Sequence, residues 1–154
     1  AKKTGTVKKK DVKDGATFTI PNDPSNAGRA LLLIEAVGLI KLKPGLASKA
    51  TVNDITDNPK GLKILELEAA QLPRSLDDAN VAVIPMNYVL SSGLKARDGF
   101  YFESLKAPYA LIVIAARPDN AQSEGVKAFV DAYRSAEVKA FIEKTFDGAV
   151  RATW

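Results

Sequence analysis

Residues 15–39, GATFTIPNDPSNAGRALLLIEAVGL, constrain this chain more than any other stretch. Phe18 and Ile20 alternate with threonines, which gives an extended segment two distinct faces, and Pro21 and Pro24 end the run. Ser25 or Asn26 is then placed to cap a helix that stops at Gly38. A strand that turns directly into a helix is the building unit of α/β folds. The free N–H groups and positive dipole end of such a helix favour an anion. Arg29, expected on the first turn, adds a planar fork suited to a carboxylate or phosphate. This is the outline of a binding corner and not of a catalytic centre. On spacing alone, Arg29 as a solvated surface pair and Asn26 as a plain cap is an equally open reading.

Onward from that corner, short strands and helices alternate, as an α/β fold requires. Thr51, with Asp54 three residues on, predicts a short capped helix through Asp57 that Asn58, Pro59 and Gly61 end. Leu62 to Leu67 reads as a strand, and Ala69 to Asp78 as a short helix interrupted at Pro73. Val81 to Ile84 is wholly apolar, which suits a buried strand of a parallel sheet, and Pro85 stops it. A helix start follows at residues 86–93, with Gly93 as terminator, and residues 110–116 form the longest apolar strand. Two amphipathic helices close the chain. One, from Ser123 or Glu124 to Arg134, aligns Val126, Phe129, Val130 and Tyr133; the other, from Glu137 to Phe146, aligns Val138, Phe141, Ile142 and Phe146. The break at Ser135 fits two packed helices better than one helix lying on a membrane.

The charge pattern and the missing residue types narrow the function. Six lysines against Asp11 in residues 1–13 more than account for the net charge of +4, so the rest of the chain is close to neutral. A nucleic-acid reader spreads basic residues along a face beside stacking aromatics, and this chain does not. With no cysteine and no histidine, disulfides, thiolate nucleophiles, Ser-His triads and the usual zinc sites are excluded. Carboxylate chemistry has little support, because Asp77 and Asp78 are adjacent in sequence, while Glu66 and Glu68 read as solvated charge on one strand face. No catalytic residue, metal ligand or cofactor is therefore expected. No run approaches the roughly 20 apolar residues of a membrane span, so a soluble polypeptide is expected. Residues 1–14 lack the apolar core of a signal peptide, which places any export signal upstream.

Several long segments, PNDPSNAGRALLLIEAVGLIKLK, TVNDITDNPKGLKILELEAAQLPRSLDD, VAVIPMNYVLSSGL, APYALIVIAARPDN and EVKAFIEKTFDGAVRATW, occur in one colinear order. Together they resemble the NlpA-type methionine-binding lipoproteins of bacterial ABC importers, from about Lys8 to Trp154. The resemblance implies one lobe of a type II periplasmic binding protein, with a returning strand and two C-terminal helices. Residues 1–105 would be the second, ligand-binding lobe, and residues 106–154 the elements that complete the first lobe. It also implies a longer parent protein with a lipidated cysteine upstream, at the periplasm or cell surface.

For the site, the resemblance carries Arg29 over as the partner of a ligand carboxylate and Asn26 as the asparagine of the same NxGRAL motif. Ser25, Asn87 and Tyr109 complete the expected ligand-binding set. The chain departs from the family pattern at two places: Pro85 and Leu111 stand where an asparagine is usual. Proline has no N–H to donate and leucine has no polar atom, and burying an ammonium without partners costs a few kcal/mol. A carboxylate that needs fewer polar contacts at its amino end is therefore expected to bind better than free methionine.

The expected function is a solute-binding receptor that takes a methionine-like amino acid or related carboxylate in an interlobe cleft and delivers it to a membrane permease. The alternative is an interaction or structural module descended from such a receptor. The apolar stripes of the two closing helices need cover, which predicts a homodimer of the isolated chain.

Overall fold

A computed structural model describes residues 9–104, 107, 111–146 and 148–154. Most of the lysine-rich segment, together with Tyr109 and Ala110, lies outside the described residues. The chain divides into two compact units, Ala1–Phe102 and Glu103–Trp154.

The first unit is built on a three-stranded parallel sheet. Strand β1 (Thr17–Pro21) leads into helix α1 (Pro24–Ala36). A short antiparallel pair follows, β2 (Lys41–Leu42) with β3 (Ile55–Asp57), and then β4 (Lys63–Leu67), the four-residue helix α2 (Leu72–Ser75), β5 (Val81–Ala82) and α3 (Met86–Ser91). The sheet order is β4-β1-β5, so β1 is central, with Phe18 opposite Ile64 on one side and Val81 on the other. The whole of β1 beyond Thr17 is buried, as a strand covered on both faces requires. From α1, Ala27, Ala30, Leu31 and Ile34 turn inward at the i, i+3, i+4, i+7 spacing, and the last three share one core cluster with Phe18, Ile20, Leu39 and Ile40. Thr19, buried among apolar groups, has its hydroxyl 2.7 Å from that of Ser75 on α2, so no hydroxyl is stranded in the core.

α1 ends as expected. Gly38, with φ of 76°, donates to the Glu35 carbonyl while Leu39 N–H reaches that of Ile34, the paired bonds of a left-handed helix stop.

Other expectations are corrected. Thr51 and Asp54 do bond each other, but they frame a single 3-10 turn at Val52–Asp54, and the chain then enters β3, where Ile55 pairs with Leu42, instead of continuing as a helix to Asp57. Pro73 does not interrupt a helix; it sits in the first turn of α2, where its missing N–H costs nothing. The strand expected at Val81–Ile84 stops at Ala82, because β1 offers it only two register positions, Phe18 and Thr19.

In the second unit, Ser123 caps α4 (Glu124–Tyr133) by accepting from Val126 N–H at 3.3 Å, and α5 (Ala136–Phe146) follows directly. Residues 111–116, expected as the longest strand, form none: Leu111, Ile112, Val113 and Ile114 are exposed, Ile112 at 92%. A strand needs a neighbour to complete its ladder, and no described strand pairs with this one. The helical stripes are only partly covered. Phe129 is 57% and Phe141 60% exposed, while Ile142 is buried. Among the described residues no helix is long and apolar enough to cross a membrane.

Candidate functional site

The corner where β1 becomes α1 is built by a residue that the sequence reading passed over. The helix cap is Asp23, not Ser25 or Asn26: its carboxylate accepts from the Asn26 backbone N–H at 3.0 Å, and Pro24 takes the first helical position. The signal was the Asp-Pro pair itself, since aspartate is a strong cap and proline is favoured at the first helical position. The shift in cap moves Arg29 from the expected first turn into the second.

Around that cap the polar side chains are linked. Ser25 Oγ donates to Asp23 Oδ1 at 2.7 Å, and Asn26 Nδ2 donates to Asp23 Oδ1 and Oδ2 at 2.9 and 3.1 Å. Arg29 Nη1 in turn donates to Asn26 Oδ1 at 3.1 Å. Helix geometry favours this link, because side chains lean toward the N-terminus and meet at a three-residue spacing. The Ser25 hydroxyl above all, with the Asn26 side-chain and backbone N–H groups, holds the Asp23 carboxyl below its ordinary pKa, outweighing the opposing effect of burial. Three expected site residues, Ser25, Asn26 and Arg29, are thus brought together through a fourth.

Gly28, inside the same motif, has a steric role. A Cβ there would lie 1.9 Å from the Ser48 carbonyl oxygen, so α1 rests on the 3-10 turn Ala47–Lys49 at a distance only glycine allows. Ala47 on that turn holds a φ of 46°, a left-handed conformation uncommon for alanine.

The remaining expected residues stand apart from the network. Asn87 is the second residue of α3 and exposed; α3 follows β5 as α1 follows β1, so both helices start beyond the carboxyl ends of adjacent parallel strands. In open parallel sheets that edge is where ligands bind. Pro85 precedes α3 as its cap and Leu111 is 46% exposed, while Tyr109 lies outside the described residues. A cavity of about 290 Å³ in this unit lies elsewhere, between Leu32 and Glu35 of α1 and residues 42–47.

Residues 2–154 match the family model for NlpA lipoprotein, and the chain belongs to that family. It is 48% identical over 147 residues to the D-methionine-binding lipoprotein MetQ of Escherichia coli K12, which covers 94% of this chain and 54% of that protein. It is similar in structure to a nutrient binding protein from Burkholderia cenocepacia bound to methionine, with TM-score 0.82 and 44% identity, over 96% of this chain and 62% of that one. A periplasmic substrate-binding protein of an ABC transporter from Coxiella burnetii aligns with TM-score 0.85 and 41% identity, over 97% and 63%. The α/β fold is therefore that of periplasmic substrate-binding proteins, and the chain spans about half the length of the curated relative described here.

Proposed function

We propose that this chain supplies the anion-anchoring wall of a solute-binding receptor of an ABC importer, and that the ligand is a methionine-like amino acid or a related carboxylate. The observation that carries this reading is Arg29: a guanidinium on a helix that springs from the carboxyl end of the central strand, tied to the preceding turn by Asn26. A planar fork held there suits a carboxylate, with its two oxygens in one plane. Relatives named for methionine binding, at 48% identity, support the ligand class. Asn87 is assigned to the rest of the ligand. The receptor would be held at the membrane by a lipid and would pass its ligand to a permease. It carries out no chemical step.

The test is isothermal calorimetry with L-methionine on a full-length receptor carrying this sequence. Arg29→Ala should weaken binding by about 2 to 5 kcal/mol, the range for removing one partner of a buried charged pair, and Arg29→Lys should restore only part of it. Unchanged affinity in Arg29→Ala would remove Arg29 as the anchor.

A further inference from the structure

We propose that Asp23 is a positioning residue for this anchor: it fixes the Asn26 amide, and through it the Arg29 guanidinium, before any ligand arrives. The inference rests on the reading of Arg29 as the anchor and adds how that anchor is held.

An asparagine amide has an accepting and a donating end, and turning it by half a rotation exchanges them. Arg29 offers only donors, so Asn26 can bond it only through the side-chain oxygen. Ionised Asp23 offers only acceptors, and both its oxygens lie within 3.1 Å of Asn26 Nδ2. The carboxylate therefore selects the one amide orientation that places Oδ1 toward Arg29, where Nη1 meets it at 3.1 Å. Asp23 is itself fixed, because it accepts from the Asn26 backbone N–H at 3.0 Å and from the Ser25 hydroxyl at 2.7 Å. Direction is thus imposed at each step from the helix cap to the guanidinium. Asn26 spends its nitrogen on Asp23 and its oxygen on Arg29, so it acts on a ligand through Arg29, and Ser25 acts through Asp23. An arginine arranged in advance loses less freedom when the ligand binds, which is the usual source of affinity gained without a new contact.

The test separates capping from positioning. Serine and asparagine cap helices about as well as aspartate, so Asp23→Ser and Asp23→Asn should keep the thermal midpoint within about 3 °C of the parent. Neither presents two acceptors to the Asn26 amide. In nitrogen-detected NMR of the full chain without ligand, the Arg29 Nη signals should be resolved by slowed rotation in the parent. They should move toward each other in Asp23→Ser and in Asn26→Ala, as rotation speeds up once the Asn26 link is loosened, and Arg29→Lys assigns them. In a full-length receptor, Asp23→Ser should bind L-methionine up to about tenfold more weakly, the upper end of what ordering one long side chain costs on binding. Arg29 signals and L-methionine affinity that are the same in Asp23→Ser and the parent would overturn the positioning role. If instead Arg29→Ala binds L-methionine as well as the parent does, the anchor reading fails, whatever the NMR shows.

Discussion

Gly28→Ala sets two known effects against each other. In an exposed helix interior, alanine is preferred over glycine by about 1 kcal/mol, so propensity alone predicts a stabler protein. Contact predicts the reverse. The new Cβ would meet the Ser48 carbonyl oxygen at 1.9 Å and its carbon at 2.5 Å, where real contacts essentially never fall under 3.0 Å, so helix and turn must part by more than 1 Å. The obstacle is backbone, on a turn whose Ala47 already holds a φ of 46°, so it cannot swing aside as a long side chain would. Overpacking of this kind costs about 1 to 3 kcal/mol and sometimes more, and here the upper part of that range applies. The net expectation is a loss of about 2 kcal/mol, with α1 shifted and Arg29 displaced beside it. Gly125→Ala is the control: this helical glycine has nothing within 4 Å of the added Cβ, so propensity acts alone and the protein should gain up to about 1 kcal/mol. Urea unfolding followed by far-UV circular dichroism, with hydrogen exchange of the α1 amides, measures both. A Gly28→Ala protein as stable as the parent, or stabler, would show that α1 does not rest on the Ser48 carbonyl as described.

Asp23→Ala should cost about 1 kcal/mol at neutral pH, the usual loss for a helix cap. Because folding lowers the Asp23 pKa, the charge-dependent part of its contribution is complete above the unfolded value of about 4 and fades as pH falls through the lower folded value; the difference between parent and variant, from urea midpoints across pH 2 to 7, should therefore narrow at the acid end to what a neutral cap contributes. In a thermal-shift panel on a full-length receptor, a carboxylate without a free ammonium should stabilise more than L-methionine does, an expectation that rests on the resemblance, since Pro85 and Leu111 stand where the family usually has an asparagine and neither side chain can hydrogen-bond. Methionine as the strongest stabiliser would refute that inference from the two substitutions. Phe129→Ser and Phe141→Ser should change unfolding free energy by less than about 0.5 kcal/mol, because both rings are more than half exposed, yet should reduce self-association of the isolated chain in sedimentation at micromolar concentration. A monomeric parent would remove the expectation of a dimer.

The parts of this fold that were legible in the sequence are those whose signals are local. The alternation at Phe18 and Ile20, the helix that follows and its stop at Gly38 all depend on residues within a few positions of one another. α4 was legible for the same reason: Ser123 caps it, and a helix satisfies its own backbone. The cap of α1 was missed by two to three positions because Ser25 and Asn26 are also good caps, and the preference of proline for the first helical position decides for Asp23. That small displacement matters for the site. It places Ser25 and Asn26 in hydrogen bonds to Asp23, with Asn26 also accepting from Arg29.

What was not legible depends on partners distant in sequence. Thr51 and Asp54 form the bonds that open many helices, yet Ile55–Asp57 becomes a strand because Lys41–Leu42 lies beside it, a pairing no local pattern announces. Val81–Ile84 was given its full apolar length, but β1 pairs only with its first two residues. Residues 110–116 show the principle most plainly. Their composition suits a buried strand, but strand formation is a property of two segments, and residues 111–116 have no ladder partner among the described strands. The candidate site is the opposite case. The hydrogen bonds from Asn26 to Asp23 and from Arg29 to Asn26 lie within seven residues of chain, and so a single sequence can carry them.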